Sequence, residues 1–99
     1  MSYSARLEAH RRLTVLRHLA ECLDYASNSE ILFDVCNGVG IRTSRDQMIS
    51  TLAWLREALL VTVEDHEGFL IVEASARGVD VASGRARDPG VRRPAPKSR

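Results

Sequence analysis

Ninety-nine residues, 44% of them hydrophobic and 27% charged, describe one small domain with one core, since a chain of this size buries about 60 to 65% of its unfolded surface. No apolar run reaches the ~20 residues that cross a bilayer, and MSYSARLEAHRRL has no apolar stretch behind its charges, which argues against a membrane-spanning or exported class and predicts a cytoplasmic protein. The net charge of +1 conceals a split: residues 85 to 99 carry six basic groups against Asp88, a net of +5, while the other 84 residues carry eight basic and twelve acidic groups, a net of −4. An acidic body with a basic tail is unlike a domain that lays nucleic acid over a broad basic face.

Taken in chain order, the spacing predicts a first helix from Ser4, as its cap, to about Cys22, with Ala9, Leu13, Leu16, Ala20 and Leu23 on one stripe. Arg6, Glu8, Arg11, Arg12 and Arg17 fall mainly off that stripe and read as a solvated face, with nucleic-acid contact as the alternative. A short connection, Asp24 to Ala26, leads to Ser27-Asn28-Ser29-Glu30, an S-x-x-E capping box with Glu30 reaching back to the cap. The second helix buries Ile31, Leu32, Val35 and Cys36 and is stopped by Asn37-Gly38-Val39-Gly40, after which Ile41 anchors the turn in the core. Cys22 and Cys36 lack a paired C-x-x-C spacing and read as buried free thiols, a disulfide being the alternative.

Residues Thr43 to Val63 form the centre of the reading. Ser44 caps a third helix in a capping box with Gln47, and Met48, Leu52, Leu55 and Leu59 make its buried stripe, leaving Asp46, Gln47, Ser50, Thr51 and Trp54 outside. The steep crossing of helices two and three, joined by a short connection, is that of a helix-turn-helix pair. The third helix ends near Ala58, and Leu59 to Val63 is a strand, Glu64 to Gly68 a polar turn and Phe69 to Val72 a second strand, with Val61, Val63, Phe69 and Ile71 on one face. Ser75 caps a fourth helix, Ala76 to Ser83, which turns Val79 and Ala82 inward and stops at Gly84. The fold class predicted is mainly α with a small β-hairpin, a winged helix-turn-helix domain over residues 1–84. Residues 85–99 follow as a Pro/Arg-rich tail, mobile or ordered by a partner.

Several motifs carry a resemblance. Leu52-Ala53-Trp54-Leu55-Arg56-Glu57-Ala58-Leu59-Leu60-Val61 resembles the "LxxLxxxGLV" junction between recognition helix and wing of bacterial winged-helix regulators. Ser44-Arg45-Asp46, Leu52-Ala53-Trp54-Leu55, Ala76-Arg77-Gly78-Val79-Asp80-Val81-Ala82 and Gly84-Arg85-Ala86-Arg87-Asp88-Pro89-Gly90-Val91 are similar to a family of small proteins of Mu-like phages and prophages, often labelled ArsR-like regulators, and the match spans most of residues 4–96. The resemblance implies a phage or prophage winged-helix protein in the cytoplasm of a bacterial host, binding DNA or a protein. It does not bring a metal sensor, because Cys36 stands alone. Ala58 also departs from the pattern by replacing the glycine usual before the strand.

Chemistry of other kinds is not indicated. Asp65-His66-Glu67 is the densest titratable cluster, but adjacent turn residues point in different directions, so it reads as a polar wing tip. His10 and His18, eight apart on a helix, are about 12 Å from one another and cannot share a metal, and no phosphate-cradling glycine motif is present. The expectation is a non-enzymatic protein without cofactor. For DNA the candidate contacts are Arg42, Thr43, Ser44, Arg45, Gln47, Ser50 and Thr51, with Arg85, Arg87, Arg92 and Arg93 of the tail along the backbone. Against these, Glu64, Asp65 and Glu67 make the wing acidic where phosphates ask for Lys or Arg. Two readings follow: a DNA-binding transcriptional regulator, dimeric through exposed Tyr3, Leu7 or Trp54, and a protein-interaction module in assembly, packaging or control of a host protein, using the tail.

Overall fold

The computed structural model describes residues 2–95; Lys97 and Arg99 of the expected basic tail lie outside them. Four helices carry a small antiparallel sheet: α1 (Tyr3–Glu21), β1 (Ala26–Asn28), α2 (Ser29–Gly38), α3 (Arg45–Glu57), β2 (Val61–His66), β3 (Phe69–Ala74) and α4 (Ala76–Ser83), with a single 3-10 turn at Leu23–Tyr25. The fold is mainly helical, as expected, but the hairpin has a third strand, in the order β1-β3-β2. β1 pairs with β3 through Ala26–Glu73, Ser27–Val72 and Asn28–Ile71. Three polar and small residues between two helices give no alternation to read, so β1 exists only because β3 offers it an edge.

Each helix starts where a side-chain oxygen meets the orphan amides of its first turn. Ser44 accepts from the Gln47 amide while the Gln47 side chain accepts from the Ser44 amide, the capping box that the spacing predicts. Ser75 caps α4 through the Gly78 amide, and Gly84 closes it in the left-handed conformation at φ 88°. Two caps move. α1 is capped by Ser2, which accepts from the Ala5 amide, rather than by Ser4. α2 is capped by Asn28, accepting from Ile31, rather than by Ser27, and Glu30 turns away to Arg45.

The core lies where α1, α2, α3 and the inner face of the sheet meet, and Leu16, Leu19, Leu32, Cys36, Leu52, Leu55, Leu60 and Val72 are fully enclosed. Ile41 is buried, as expected of a turn anchor, whereas Ile31 and Leu59 are exposed. Leu59 is the residue that takes the left-handed conformation after α3, at φ 63°, while Ala58 has φ −79°. The glycine-like position is therefore Leu59, one residue beyond Ala58.

The hairpin register opposes Val61 to Ala74, Val63 to Val72, Asp65 to Leu70 and His66 to Phe69. Cross-strand partners share a face, so the inward set is Val61, Val63, Leu70, Val72 and Ala74. Phe69 and Ile71, expected inside, belong to the other face. The error comes from the turn. A five-residue loop was expected, but β2 runs on to His66 and only Glu67-Gly68 separates the strands, and a shift of one residue exchanges the faces.

Candidate functional site

The best-ordered polar cluster holds the entry to α3. Arg11, read from sequence as part of a solvated face, is 1% exposed. It donates from Nε to Thr43 Oγ1 at 2.9 Å and from Nη2 to the Arg42 carbonyl at 3.0 Å, and it pairs with Glu8 one turn away. Thr43 in turn donates to the Ile41 carbonyl, and Asn37 brackets the same residue, accepting from its amide and donating to its carbonyl. A buried guanidinium satisfied on three sides, together with the Asn37 amide, locks the turn between α2 and α3. This is why α3 can present its outer face in one orientation. No spacing rule would find Arg11, because its partners lie 31 and 32 residues away.

These facts sort the predicted contacts of α3. Arg42, Ser44, Arg45, Gln47 and Ser50 are exposed, while Thr43 and Thr51 are buried. Thr51 was expected on the outer face; its hydroxyl instead sits in the interior without a partner. Ser44 and Gln47 satisfy each other in the cap. Arg45 is held by Glu30 at 2.7 Å and lies 4.6 Å over the Phe33 ring, and this hydrogen bond raises the arginine's pKa and lowers that of the carboxyl. Asp46 and Glu57 are exposed on the same helix, and Glu64, Asp65 and Glu67 on the hairpin. With Glu30 and with Glu73 of β3, seven exposed carboxylates of α3, the hairpin and their rim stand against Arg42, Arg45 and Arg56, a net of −4 distributed over both faces of the hairpin. The hairpin tip also orders itself internally: His66 Nε2 lies 2.6 Å from Glu64 Oε1, and its ring stacks on Phe69 with 5.5 Å between centroids.

The segment after Gly84 was expected to be mobile or ordered by a partner. In the structure Val91 is 7% exposed within the core cluster, and the Arg92 amide donates to the Ala9 carbonyl of α1. The Arg12 guanidinium lies 3.9 Å over the Trp54 ring and donates from Nη1 to the Gly90 carbonyl. Burial and the nearby Arg92 lower the pKa of His10. Trp54 is therefore half-buried beneath Arg12 and Gly90. Arg85 pairs with Asp80, the Arg87 carbonyl accepts from Arg77, and the side chains of Arg87, Arg92 and Arg93 surround a hollow of about 460 Å³ beside Val81 and Pro94. Sequence composition missed Val91, the buried apolar residue that, with partly buried Ala86, ties this segment down.

Among the described residues, no group of three or more His, Cys, Asp or Glu side chains is arranged to hold a metal ion. Both cysteines are free; Cys36 is buried, which pushes its thiol up to about 11, and Cys22 is half-buried. No helix among these residues is long and apolar enough to cross a membrane.

No protein-family model and no solved structure matches the chain. It is, however, 46% identical over 92 residues to the uncharacterized protein gp26 of Escherichia phage Mu, a match covering 93% of this chain and 95% of gp26. The chain belongs to the gp26 family of Mu-like phages. An uncharacterized protein of Haemophilus influenzae is 32% identical over 95 residues, covering 90% of this chain and 92% of its own length.

Proposed function

We propose that this gp26-family chain is a winged helix-turn-helix module that acts without catalysis, by binding a protein partner through the face of α3 and the β2–β3 hairpin. The element order α1, β1, α2, α3, β2, β3 and the sheet order β1-β3-β2 support the winged-helix part of the reading. The observation that carries the partner part is charge. Duplex DNA presents a negative charge about every 1.7 Å of its axis, and the acidic excess of α3 and the hairpin would press carboxylates at the helix and the hairpin tip toward phosphate. Protein surfaces accept such a face, and exposed Ile49 and Phe69 give it an apolar centre. The test is co-purification from phage-producing cells with the full-length chain and with Ile49→Glu. A protein retained by the first and lost by the second is expected; an unchanged set of proteins would overturn the reading.

A DNA-binding regulator is the second reading, favoured by the gathering of Arg87, Arg92 and Arg93 around one hollow. In it, phosphate contact comes from the docked segment while Arg42 and Arg45 guide α3. Titration of phage DNA fragments at two salt concentrations separates the readings. Binding at low salt that weakens steeply with salt, and falls when Arg92 and Arg93 are both changed to Ala, supports the regulator.

A further inference from the structure

The arginines around the segment after Gly84 divide into two groups. Arg12 and Arg77 hold the segment in place, donating to the carbonyls of Gly90 and Arg87 at 2.9 and 3.0 Å, and Arg85 pairs with Asp80. Arg87, Arg92 and Arg93 do none of this. Among the described residues their guanidiniums enter no hydrogen bond and no ion pair, yet all three border one hollow of about 460 Å³ with Val81, Ala86, Val91 and Pro94 as its apolar floor. Main-chain bonds fix the loop around it: the Ala86 amide donates to the Asp80 carbonyl, the Val91 amide to the Asp88 carbonyl and the Arg92 amide to the Ala9 carbonyl. Asp88 is the one acid at the hollow, and one of its oxygens accepts from the Gly90 amide at 2.9 Å. Three guanidiniums less one carboxylate leave a charge of +2 on walls that are set before any ligand arrives.

We infer that this hollow binds a phosphate monoester, with the phosphate held by Arg87, Arg92 and Arg93 and the body of the ester against the floor of Val81 and Val91. A monoester carries a charge of about −1.5 to −2 at pH 7, which matches the +2, whereas a phosphodiester or a lone carboxylate brings a single charge. Its three oxygens point in different directions, so each can accept from a different guanidinium, and the planar fork of arginine suits such acceptors. The volume falls in the range of small-ligand sites, about 300–1,000 Å³, and fixed walls lower the cost of ordering on binding. No aromatic side chain among the described residues borders the hollow, so it gives the bases of a single strand nothing to stack on. The inference goes beyond both readings above: it needs neither the α3 face nor the DNA backbone, and it shares with the second reading only its arginines. The ester is either a free small molecule or the 5′-phosphate at the end of a nucleic-acid strand, one chemistry from two sources.

The experiment titrates the full-length chain with phenyl phosphate at about pH 7.5, where the ester is a dianion, and follows the backbone amides by NMR. Saturable shifts centred on residues 85–95 and α4 are expected, with an affinity about tenfold above that of phenyl sulfate, which has the same shape and one charge. Affinity should fall about tenfold in Arg87→Gln and again in Arg93→Gln, tenfold being the loss of one charge-assisted contact. Both arginines are exposed, so the variants keep the fold, checked by an unchanged melting curve. An oligonucleotide with a 5′-phosphate separates the two sources: displacement of phenyl phosphate by it, and not by the same strand without the phosphate, assigns the hollow to strand ends, and failure to displace assigns it to small esters. Phenyl sulfate or a glutamate-rich peptide bound as tightly as phenyl phosphate, no saturable binding, or an affinity unchanged in both variants would overturn the inference. Displacement by a duplex without terminal phosphates would make the diester backbone the ligand, removing the monoester and leaving the DNA-binding reading standing. Phenyl phosphate bound as expected by a chain that binds no duplex would remove that reading and keep this one.

Discussion

Gly90→Ala tests whether residues 85–95 are part of the domain. A Cβ at this position would overlap Trp54, lying 2.5 Å from Cη2, and would come 3.3 Å from Nη1 of Arg12, against an ordinary carbon contact of about 3.5–4.0 Å. The ring must move by about 1 Å or the segment must leave. What holds the segment is burial of Val91, at most about 1.5–3 kcal/mol, the hydrogen bond from Arg12 to the Gly90 carbonyl, about 0.5–1.5 kcal/mol, and the Arg92 amide on Ala9. Release returns backbone entropy for each residue set free, which offsets much of this hold, so the segment detaches. Trp54 is the single tryptophan, so its emission reports this event alone and is expected to shift to the red. The melting temperature should fall, by about 4–8 °C for each kcal/mol of net hold lost in a domain of this size. Detachment also takes Arg92 away from His10, whose pKa, now lowered by burial and by that arginine, should rise in an NMR titration. Unchanged emission, melting temperature and His10 titration in the Ala variant would refute the docking argument.

Three further outcomes follow from the same geometry. Arg11→Met keeps the bulk but removes the bonds to Thr43 Oγ1 and the Arg42 carbonyl, and should cost about 2–4 kcal/mol by denaturant unfolding; a loss within about 0.5 kcal/mol would mean the clamp contributes nothing. Leu59→Gly should stabilise by about 0.5–1 kcal/mol, because relief of a left-handed residue, about 1–2 kcal/mol, exceeds the chain-entropy cost of glycine, about 0.5–1 kcal/mol, and the leucine side chain is 75% exposed. A destabilised variant would show that Leu59 is held by a contact not apparent in its exposure. Cys36 has its thiol raised by burial to about 11, so the folded state holds a proton that the unfolded state releases near pH 9. Its stability contribution is complete below pH 9 and is lost as pH rises from about 9 toward 11, at about 1.4 kcal/mol per pH unit. Alkylation at pH 8 should modify Cys22 and spare Cys36; equal labelling would contradict the burial.

The helices and their starts were largely legible because caps and helical stripes act within four residues. The Ser44–Gln47 box and the Ser75 and Gly84 ends of α4 could be named from the string alone. The misread caps, Ser4 for Ser2 and Ser27 for Asn28, lie where two polar residues compete within one turn, and the winner depends on where the helix axis must point. Asp65 was visible as a turn acid but not as the end of an inward row, because that needs the two-residue turn and hence the register.

Local chemistry by itself thus determined the four helices, the hairpin, the aliphatic core and the split between an acidic body and a basic end. Tertiary structure alone decided that β1 joins β3, that Arg11 is buried, and that Val91 brings the basic segment against α1. It also decided that Arg87, Arg92 and Arg93 border one hollow. The physical reason is range: capping and amphipathic periodicity are contained in consecutive residues, whereas the environment of a charge is set by whatever the fold brings to it, 31 or 78 residues away in the bonds of Arg11 and Arg12.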